Sequence, residues 1–427
     1  MNPFEEKAKN VDEYLSSLKD LYPVPYDKNA ADPYTKTRII LAAGAEYEAN
    51  WHSHHAMRHI ADPDLRREMA LCRFVEKQQQ QKIANLKPID ETVLETTIAY
   101  EQLAVDLTAE MAQKEKDFNV KKALDFALLE DFDHLYRYAN LLDMDEGVHA
   151  ERLVGKYTEI MPARPTVNHH RHPFDNVKND ISGDLANTQT VLNTLIITAA
   201  EQQTMNYYMN NSAAYINDRG RRLYQEIALV EEEHVTQYGS LIDTSPTLLQ
   251  GSLWHEYSEC YIYWSNYMTE TDERIKALWE QYFEAEVSHL LKAAELLRKY
   301  EGKNYDEVIK DPVFPDPLSL HENIEYVRGI LKETVQFTGL LTDYENVNKL
   351  HADHRFFKHN ELMTTPIKDA ASHRVIMDRV ADFGEDYRFE TKENPINKHH
   401  NREQDDVVVG LKPDAAESGN FHPLKMA

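Results

Sequence analysis

The sequence is poor in cysteine, glycine and proline. Two cysteines, Cys72 and Cys260, among 427 residues exclude a disulfide framework and a four-thiolate metal site, and such usage is typical of a reducing compartment. Only 13 glycines and 17 prolines interrupt long segments rich in Ala, Leu, Glu and Lys, which argues against the many turns of an all-β protein. These shortages predict an all-α protein in the cytoplasm.

Positive charge and long apolar runs are also scarce. The chain has 47 Lys and Arg residues against 73 Asp and Glu residues, a formal net charge of -26. Such an excess repels phosphate backbones and anionic lipids, so we expect neither nucleic acid nor membrane as a partner. No apolar run approaches the roughly 18 residues of a membrane span, and the first segment, MNPFEEKAKN, lacks the features of a signal peptide. Cations are the partners that this charge favours.

The stretch LVEEEHVTQYG, residues 229–239, places an acid and a histidine on one apolar helix face. Glu231 and His234 lie three positions apart within a stripe of apolar residues at helical spacing, so their side chains point to a common place. Glu232 and Glu233 are expected to turn toward solvent. The same spacing occurs twice more, at Glu286 with His289 and at Asp131 with His134.

These acids form part of an internal repeat. Shifting the earlier set by 155 positions, the distance from Glu46 to Glu201, superimposes it on the later set, and the turn segments fall into register as well. The matched pairs are Glu46 with Glu201, Glu76 with Glu231, Gln79 with His234, Glu101 with Glu256, Asp131 with Glu286, and His134 with His289. We predict two tandem four-helix bundles at residues 36–147 and 190–302, with a connector at 148–189 and a C-terminal helix and extended arm at 303–427.

Carboxylates on apolar helix faces predict bound metal. Desolvating an unpaired anion costs several kcal/mol, and four carboxylates facing one bundle core repel each other. Two divalent cations carry four positive charges, which match four carboxylates, while one neutral imidazole per metal completes the ligand set. Oxygen and imidazole ligands together favour iron, manganese or zinc. A buried network of acids and histidines without metal is the alternative.

The second repeat resembles the ferritin-like dimetal-carboxylate superfamily, whose bundles take Glu from one helix and ExxH from the next, twice over. The matching residues here are Glu201, EEEH ending in His234, Glu256, and EVSH from Glu286 to His289. The resemblance implies that Glu231 and Glu286 bridge the metals, that Glu201 and Glu256 are terminal ligands, and that each histidine binds one metal. Two iron ions, two manganese ions or a mixed pair would suit this set.

One further acid, Glu259, makes the resemblance more specific. Glu259 follows Glu256 by three positions in HEYSE, as in rubrerythrin-like members, and the resemblance implies an exchangeable, catalytic ligand. A solvent-facing acid is the alternative reading. The first repeat departs from the pattern, because Gln79 replaces a histidine, Asp131 shortens a carboxylate and Ala104 replaces the extra glutamate. Its set, Glu46, Glu76, Gln79, Glu101, Asp131 and His134, is expected to hold two metals, one metal or none.

The resemblance implies a dimetal oxidoreductase that gives two electrons to hydrogen peroxide or dioxygen in the second bundle. Electrons would come from a separate donor protein, since the chain has no rubredoxin-type cysteine ligands. Three alternatives stay open: an oxygenase or oxidase of an organic substrate, a manganese catalase, and a metal-binding protein without enzymatic activity. The C-terminal arm suggests a homodimer.

Overall fold

The computed structural model describes residues 1–161, 170–183, 185–334, 336–364, 370–384, 387–388 and 396. Within these residues the chain forms eleven α-helices and one two-stranded hairpin, so the predicted all-α class is confirmed. None of the described helices combines the length and the apolar character needed to cross a lipid bilayer. The two cysteines, Cys72 and Cys260, are buried and free.

Eight long helices carry most of the described structure. They are α1 Pro33–His59, α2 Pro63–Ala84, α3 Val93–Lys114, α4 Phe118–Glu146, α5 Thr188–Ala214, α6 Asp218–Gly239, α7 Leu248–Thr269 and α8 Glu273–Glu301. Each helix from α5 to α8 begins and ends 155 positions after its counterpart among α1 to α4, as α1 and α5 illustrate.

Short polar side chains and glycines set the ends of these helices. Thr92 begins α3 through a capping box with Glu95, and Asp117 begins α4 by accepting hydrogen bonds from two backbone N–H groups. Gly147 and Gly302 end α4 and α8 in the left-handed conformation, with φ of 66° and 69°, which glycine adopts without steric cost. Helix bounds are therefore largely local properties of the sequence.

The chain divides into two compact units that do not follow the order of the helices. Unit 1 comprises Met1–Glu91, Asp180–Gln203 and Ile242–Ser319, and unit 2 comprises Thr92–Asn179, Thr204–Leu241 and Leu320–Ala427. The division crosses the unbroken helix α5 after Gln203. The predicted boundaries, 36–147 and 190–302, are therefore not those of the units. An apolar helix face looks the same whether its own repeat or the other one covers it, so the pattern along the chain does not decide the pairing.

Unit 1 is built around α1, α2, α7 and α8. Helix α1 packs against α2 and α7, and α7 packs against α8. Aromatic and aliphatic side chains, among them Ile39, Ile83, Tyr263 and Trp279, form a buried cluster. This cluster fixes the helices that carry the acids Glu46, Glu76, Glu256 and Glu286 relative to one another.

Unit 2 pairs α3 with α4 and α4 with α6, and shorter C-terminal helices pack on this group. The sequence predicts a C-terminal helix and an extended arm at 303–427, and within this range the structure has α9 Ile324–Thr334, strands β1 Phe337–Leu340 and β2 Asp343–Asn346, α10 Arg355–Thr364 and α11 Ala371–Phe383. Helices α9 and α11 pack on α4, and α11 also packs on α6. The described part of the predicted arm is thus folded, and residues 397–427 lie outside the described residues.

Contacts made by the connector explain why the predicted C-terminal helix gives way to a hairpin. The two strands pair with Leu340 opposite Asp343, and Leu341 in the turn has a positive φ of 51°. The carboxylate of Asp175 accepts a hydrogen bond from the backbone N–H of Leu341, and Lys178 Nζ donates a hydrogen bond to the backbone carbonyl of Leu341. Such side-chain contacts, distant in sequence, leave no periodic signal.

Candidate metal centres

Seven polar side chains from α1, α2, α7 and α8 converge in the interior of unit 1, and we name them cluster 1. They are Glu46, Glu76, Gln79, Glu256, Glu259, Glu286 and His289. Two sets of three suit a metal ion, Glu76 with Glu256 and His289, and Glu256 with Glu259 and Glu286, because one ligand atom from each residue lies within 4.8 Å of the others. Glu256 belongs to both sets, so two metals can share one ligand helix.

The carboxylates of cluster 1 have no Lys or Arg ion pair among the described residues, and the imidazole of His289 lies 3.1 Å from Glu286 Oε2. The Glu256 side chain is 12% exposed, and Glu46, Glu76, Glu259 and Glu286 are each 2% exposed or less. Both carboxylate oxygens of Glu259 and one oxygen each of Glu46, Glu76 and Glu256 have no hydrogen-bond partner among the described residues. Because an uncompensated buried anion is strongly destabilising, this arrangement calls for a cation.

The raised pKa values of the acids in cluster 1 also indicate that a cation is needed there. Burial raises the pKa of Glu76 to about 7, with Glu286 adding to this effect and His289 opposing it. Burial and the neighbouring carboxylates also raise the pKa values of Glu46, Glu256 and Glu259 well above their usual range. Divalent metal ions would reverse these shifts, since a nearby positive charge stabilises the ionised carboxylate.

Two neutral side chains orient the acids of cluster 1. Gln79 Nε2 donates to Glu46 Oε1 at 3.0 Å and also to Glu286 Oε1. Tyr263 donates its hydroxyl proton to Glu46 Oε1 at 2.5 Å. The amide that replaces a histidine in the repeat therefore holds two carboxylates in place, and Tyr263 is a positioning residue that the spacing of the acids did not reveal.

A small cavity of about 30 Å³ reaches cluster 1 from one side. Glu256 and His289 lie in its wall together with apolar side chains such as Met69, Leu249 and Leu296. His52 and His255 also line it, with ring centroids 4.2 Å apart. Burial lowers the pKa of His52 to about 4, so these rings are neutral near pH 7 and the cavity favours uncharged molecules.

A second group, which we name cluster 2, joins acids and histidines of α3, α4 and α6. It consists of Glu101, Asp131, His134, Glu231 and His234, all 1% exposed or less. The potential ligand atoms of Glu101, His134 and Glu231 lie within 4.8 Å of one another. Glu201 is also buried, on the part of α5 that belongs to unit 1.

The histidines of cluster 2 present one ring nitrogen to the acids. His134 Nδ1 lies 2.9 Å from Glu231 Oε1, and His234 Nδ1 lies 3.1 Å from Glu231 Oε2. Burial alone would raise the pKa of Glu231, but His134 and His234 outweigh it and hold the pKa well below its usual range. Glu231 therefore stays ionised between the two rings.

The second ring nitrogen of His234 is held by a residue outside the predicted set. His234 Nε2 lies 2.7 Å from Glu130 Oε2, and Glu130 in turn pairs with the buried guanidinium of Arg171. A carboxylate on the far nitrogen fixes the ring orientation and leaves Nδ1 to bind metal, as in many metal sites. Glu130 precedes Asp131 in the sequence, but nothing in the helical pattern pointed to Arg171, which lies in the connector.

The prediction that Glu233 faces solvent is wrong. Its side chain is buried, and it pairs with Arg171 Nη2 at 3.2 Å, whereas Glu232 is exposed as expected. Burial raises the pKa of Glu233 to about 7, although Arg171 opposes this. The connector segment, not solvent, covers this face of α6, and for that reason the amphipathic pattern of α6 alone misplaced the side chain.

The structure groups the predicted ligands differently from the sequence. The predicted site of the second repeat separates into Glu231 and His234 in cluster 2 and Glu256, Glu259, Glu286 and His289 in cluster 1, while Glu201 lies on the unit 1 part of α5. The predicted site of the first repeat separates likewise, with Glu46, Glu76 and Gln79 in cluster 1 and Glu101, Asp131 and His134 in cluster 2. His134 and His234 thus both belong to cluster 2, while His289 and Glu259 belong to the cluster with Gln79. Glu259 is buried, so its solvent-facing alternative is wrong.

Comparison with known proteins returned no match: no family model, no curated protein and no solved structure matches the chain.

Proposed function

We propose that the protein is an oxidoreductase that holds pairs of divalent iron or manganese ions in clusters 1 and 2 and reduces hydrogen peroxide or dioxygen. The observation that supports this best is the set of buried carboxylate oxygens of cluster 1, which lack both hydrogen-bond donors and ion-pairing Lys or Arg side chains in the described part of the chain. Oxygen-rich sites with one or two imidazoles suit iron and manganese.

The architecture that we propose is a pair of ferritin-like four-helix bundles derived from a tandem repeat. Each bundle combines two helices from each repeat, α1 and α2 with α7 and α8 in one case and α3 and α4 with α5 and α6 in the other. The equal spacing of helix bounds supports the repeat, and the convergence of acids from four helices in cluster 1 and from three in cluster 2 supports the bundles.

Each cluster offers ligands for two metals. In cluster 1, Glu76, Glu256 and His289 would hold one metal and Glu256, Glu259 and Glu286 the other, with Glu46 as a further ligand. In cluster 2, Glu101, His134 and Glu231 would hold one metal, and Asp131 and His234 would hold a second. When bound, two such metals supply two one-electron changes of oxidation state, which matches the two-electron reduction of peroxide.

The protein side chains would shape this chemistry. Gln79 and Tyr263 hold carboxylates of cluster 1 at a fixed angle through hydrogen bonds. Glu259, whose oxygens have no hydrogen-bond partner among the described residues, is free to change its coordination and to carry a proton. Electrons would come from a separate donor protein, because neither buried cysteine forms a redox pair.

The cavity beside Glu256 and His289 favours a second candidate function, oxidation of an organic substrate. Its lining by Met69, Leu249 and Leu296 suits a small, largely apolar molecule. In this case dioxygen would be the oxidant and the organic compound the electron source.

Metal analysis followed by reoxidation separates these candidates. Protein loaded anaerobically with ferrous iron is mixed with peroxide or with oxygen, with and without a panel of small apolar compounds, and the change in iron oxidation state is followed optically. Fast reoxidation by peroxide supports the first function. Reoxidation that requires both oxygen and an organic compound supports the second.

Glu286→Gln, compared with Glu284→Gln on the exposed face of the same helix, supplies the matched control. The Glu286 variant is expected to lose the metal of cluster 1, while the Glu284 variant keeps it. Wild-type protein that binds no iron or manganese under these conditions would overturn the proposed function, and slow reoxidation under every condition would leave only a metal-binding role.

A further inference from the structure

Three buried tyrosines lead from cluster 2 toward the surface of unit 2. Tyr208 donates its hydroxyl proton to Glu101 Oε1 at 2.5 Å, which connects its ring to a proposed ligand. The ring centroids of Tyr208 and Tyr224 are 5.7 Å apart, and those of Tyr224 and Tyr215 are 5.3 Å apart. The three rings therefore form an unbroken series of aromatic contacts.

The outer end of this series has its own proton acceptor. Tyr215 donates its hydroxyl proton to Asp145 Oδ2 at 2.8 Å, and Asn217 donates to the same oxygen at 2.9 Å. Tyr215 is 9% exposed, whereas Ile216 beside it is 88% exposed. A phenol that loses an electron becomes a strong acid, so a hydrogen-bonded carboxylate lets Tyr215 lose its proton at the same time. Asp145 lies outside cluster 2.

A fourth ring, that of Tyr138, packs in the same group but has no proton acceptor among the described residues, so it serves as a comparison. Tyr138 packs between Tyr208 and Tyr224, at centroid distances of 5.1 Å and 4.9 Å. Its hydroxyl is buried and has no hydrogen-bond partner among the residues described, so no group there can take its proton. Tyr138 thus packs against Tyr208 and Tyr224, but no group among the described residues can accept its proton.

Gly220 makes room for the outer tyrosine. A Cβ at this position would lie 2.1 Å from a carbon of the Tyr215 ring, a distance that forces the ring to move. The close approach places Tyr215 directly against the first turn of α6, the helix that carries Tyr224. A glycine here permits the ring contact and is not required by a positive φ.

We propose that Tyr208, Tyr224 and Tyr215 form a relay that carries one electron at a time from Tyr215 to the oxidised metals of cluster 2. The oxidant is hydrogen peroxide or dioxygen, acting on those metals, so the relay rests on the proposed function. Tyr215 loses one electron, its O–H bond breaks, and the proton passes to Asp145 Oδ2. The electron crosses the rings of Tyr224 and Tyr208 to the Glu101 side of cluster 2, where bound oxidised metal would accept it. A one-electron reductant at the surface near Ile216 then returns the electron, and Asp145 returns the proton.

The test uses full-length protein loaded with ferrous iron, mixed with peroxide and freeze-quenched for electron paramagnetic resonance. Wild-type protein is expected to show a tyrosyl radical whose spectrum narrows when ring-deuterated tyrosine is incorporated, and a spin trap should label Tyr215 in peptide mass spectra. Tyr215→Phe should lose the label and most of the signal at unchanged iron content. Gly220→Ala and Asp145→Asn should lower the signal, because they displace the ring and remove the proton acceptor.

Tyr138→Phe is the matched control, and it should keep the wild-type signal and label. Oxidised iron without any tyrosyl radical in the wild type would overturn the relay and leave the proposed function standing. A Tyr215→Phe protein with the wild-type radical signal would also overturn it. Failure of the wild type to bind iron would instead overturn the proposed function, and the relay with it.

Discussion

The burial of the Glu259 side chain supports a bound cation in cluster 1. It lies on α7 with both carboxylate oxygens buried and without hydrogen-bond partners in the described residues. Burial and the charges of Glu286 and Glu46 raise its pKa well above the usual range. Without metal, such a residue destabilises the fold, and with metal it becomes a ligand. The absence of hydrogen-bond partners for Glu259 among the described residues therefore supports its proposed role as a metal ligand.

Replacing Glu259 by Gln is expected to affect the metal-free and metal-bound proteins in opposite ways. The amide keeps the shape but removes a buried charge, so the metal-free variant should unfold at the same or a higher temperature than wild type. Loss of a ligand should weaken manganese binding about tenfold or more, which lowers metal-linked stabilisation by about 1.4 kcal/mol. Calorimetric titration with manganese and thermal unfolding with and without it measure both effects.

Glu284→Gln, on the exposed side of α8, should behave like wild type in both measurements. A Glu259→Gln protein that is clearly less stable than wild type without metal would contradict this assignment, because it would show that the carboxylate is satisfied within the fold.

At the scale of elements, α11 is fixed to unit 2 by one carboxylate of α6. Glu226 Oε2 accepts hydrogen bonds from the backbone N–H groups of Ala371 at 2.6 Å and Ser372 at 3.2 Å, and the Ser372 hydroxyl donates to Oε1. An acid at a helix N-terminus also stabilises the helix through its dipole. Burial alone would raise the pKa of Glu226, but His170, Ser372 and His373 outweigh it and lower the pKa to about 2.

Glu226→Gln is therefore expected to loosen α11 and to cost up to about 3 kcal/mol near neutral pH. The folded pKa lies below the ordinary value of 4.5, so the stabilisation is fully present above about pH 4.5 and is lost as pH falls toward 2. The difference in unfolding free energy between wild type and variant should shrink over that range. Hydrogen exchange at residues 371–383 should become faster in the variant at pH 7.

Glu232→Gln, on the solvent side of the same helix, serves as the control and should leave exchange in α11 unchanged. An energy difference that stays constant from pH 7 to pH 3 would refute the role given to the Glu226 charge.

At the scale of the whole molecule, the pairing of helices decides which acids share a metal. Glu231 and Glu286 would bridge one metal pair if each repeat formed its own bundle, but the structure places them in clusters 2 and 1. Their effects on metal binding should therefore be independent. Sites that share no ligand contribute additively, whereas ligands of a single site do not.

Glu231→Gln and Glu286→Gln are each expected to remove metal from one cluster, and the double variant should lose both sets. Metal content after dialysis against manganese, measured by mass spectrometry of the element, checks this. Glu232→Gln and Glu284→Gln provide the paired controls. A double variant that retains as much metal as either single variant would favour the pairing within each repeat.

The sequence by itself determined the helical class, the helix bounds and the identity of the acids and histidines that face the interior. These are local properties, since capping residues and the spacing of Glu231 from His234 act within one or two turns. Residues that depend on contacts distant along the chain, such as Arg171 and Tyr263, left no such signal.

Only the tertiary structure decided which helices join, and so placed Glu259 and His289 with Gln79 in cluster 1 and His134 with His234 in cluster 2. The apolar face of a helix indicates that another element covers it but does not indicate which one. The free energy of burial depends on the apolar area removed from water and not on how the elements are connected. The same reason explains why Glu233, on the edge of such a face, lies buried against Arg171.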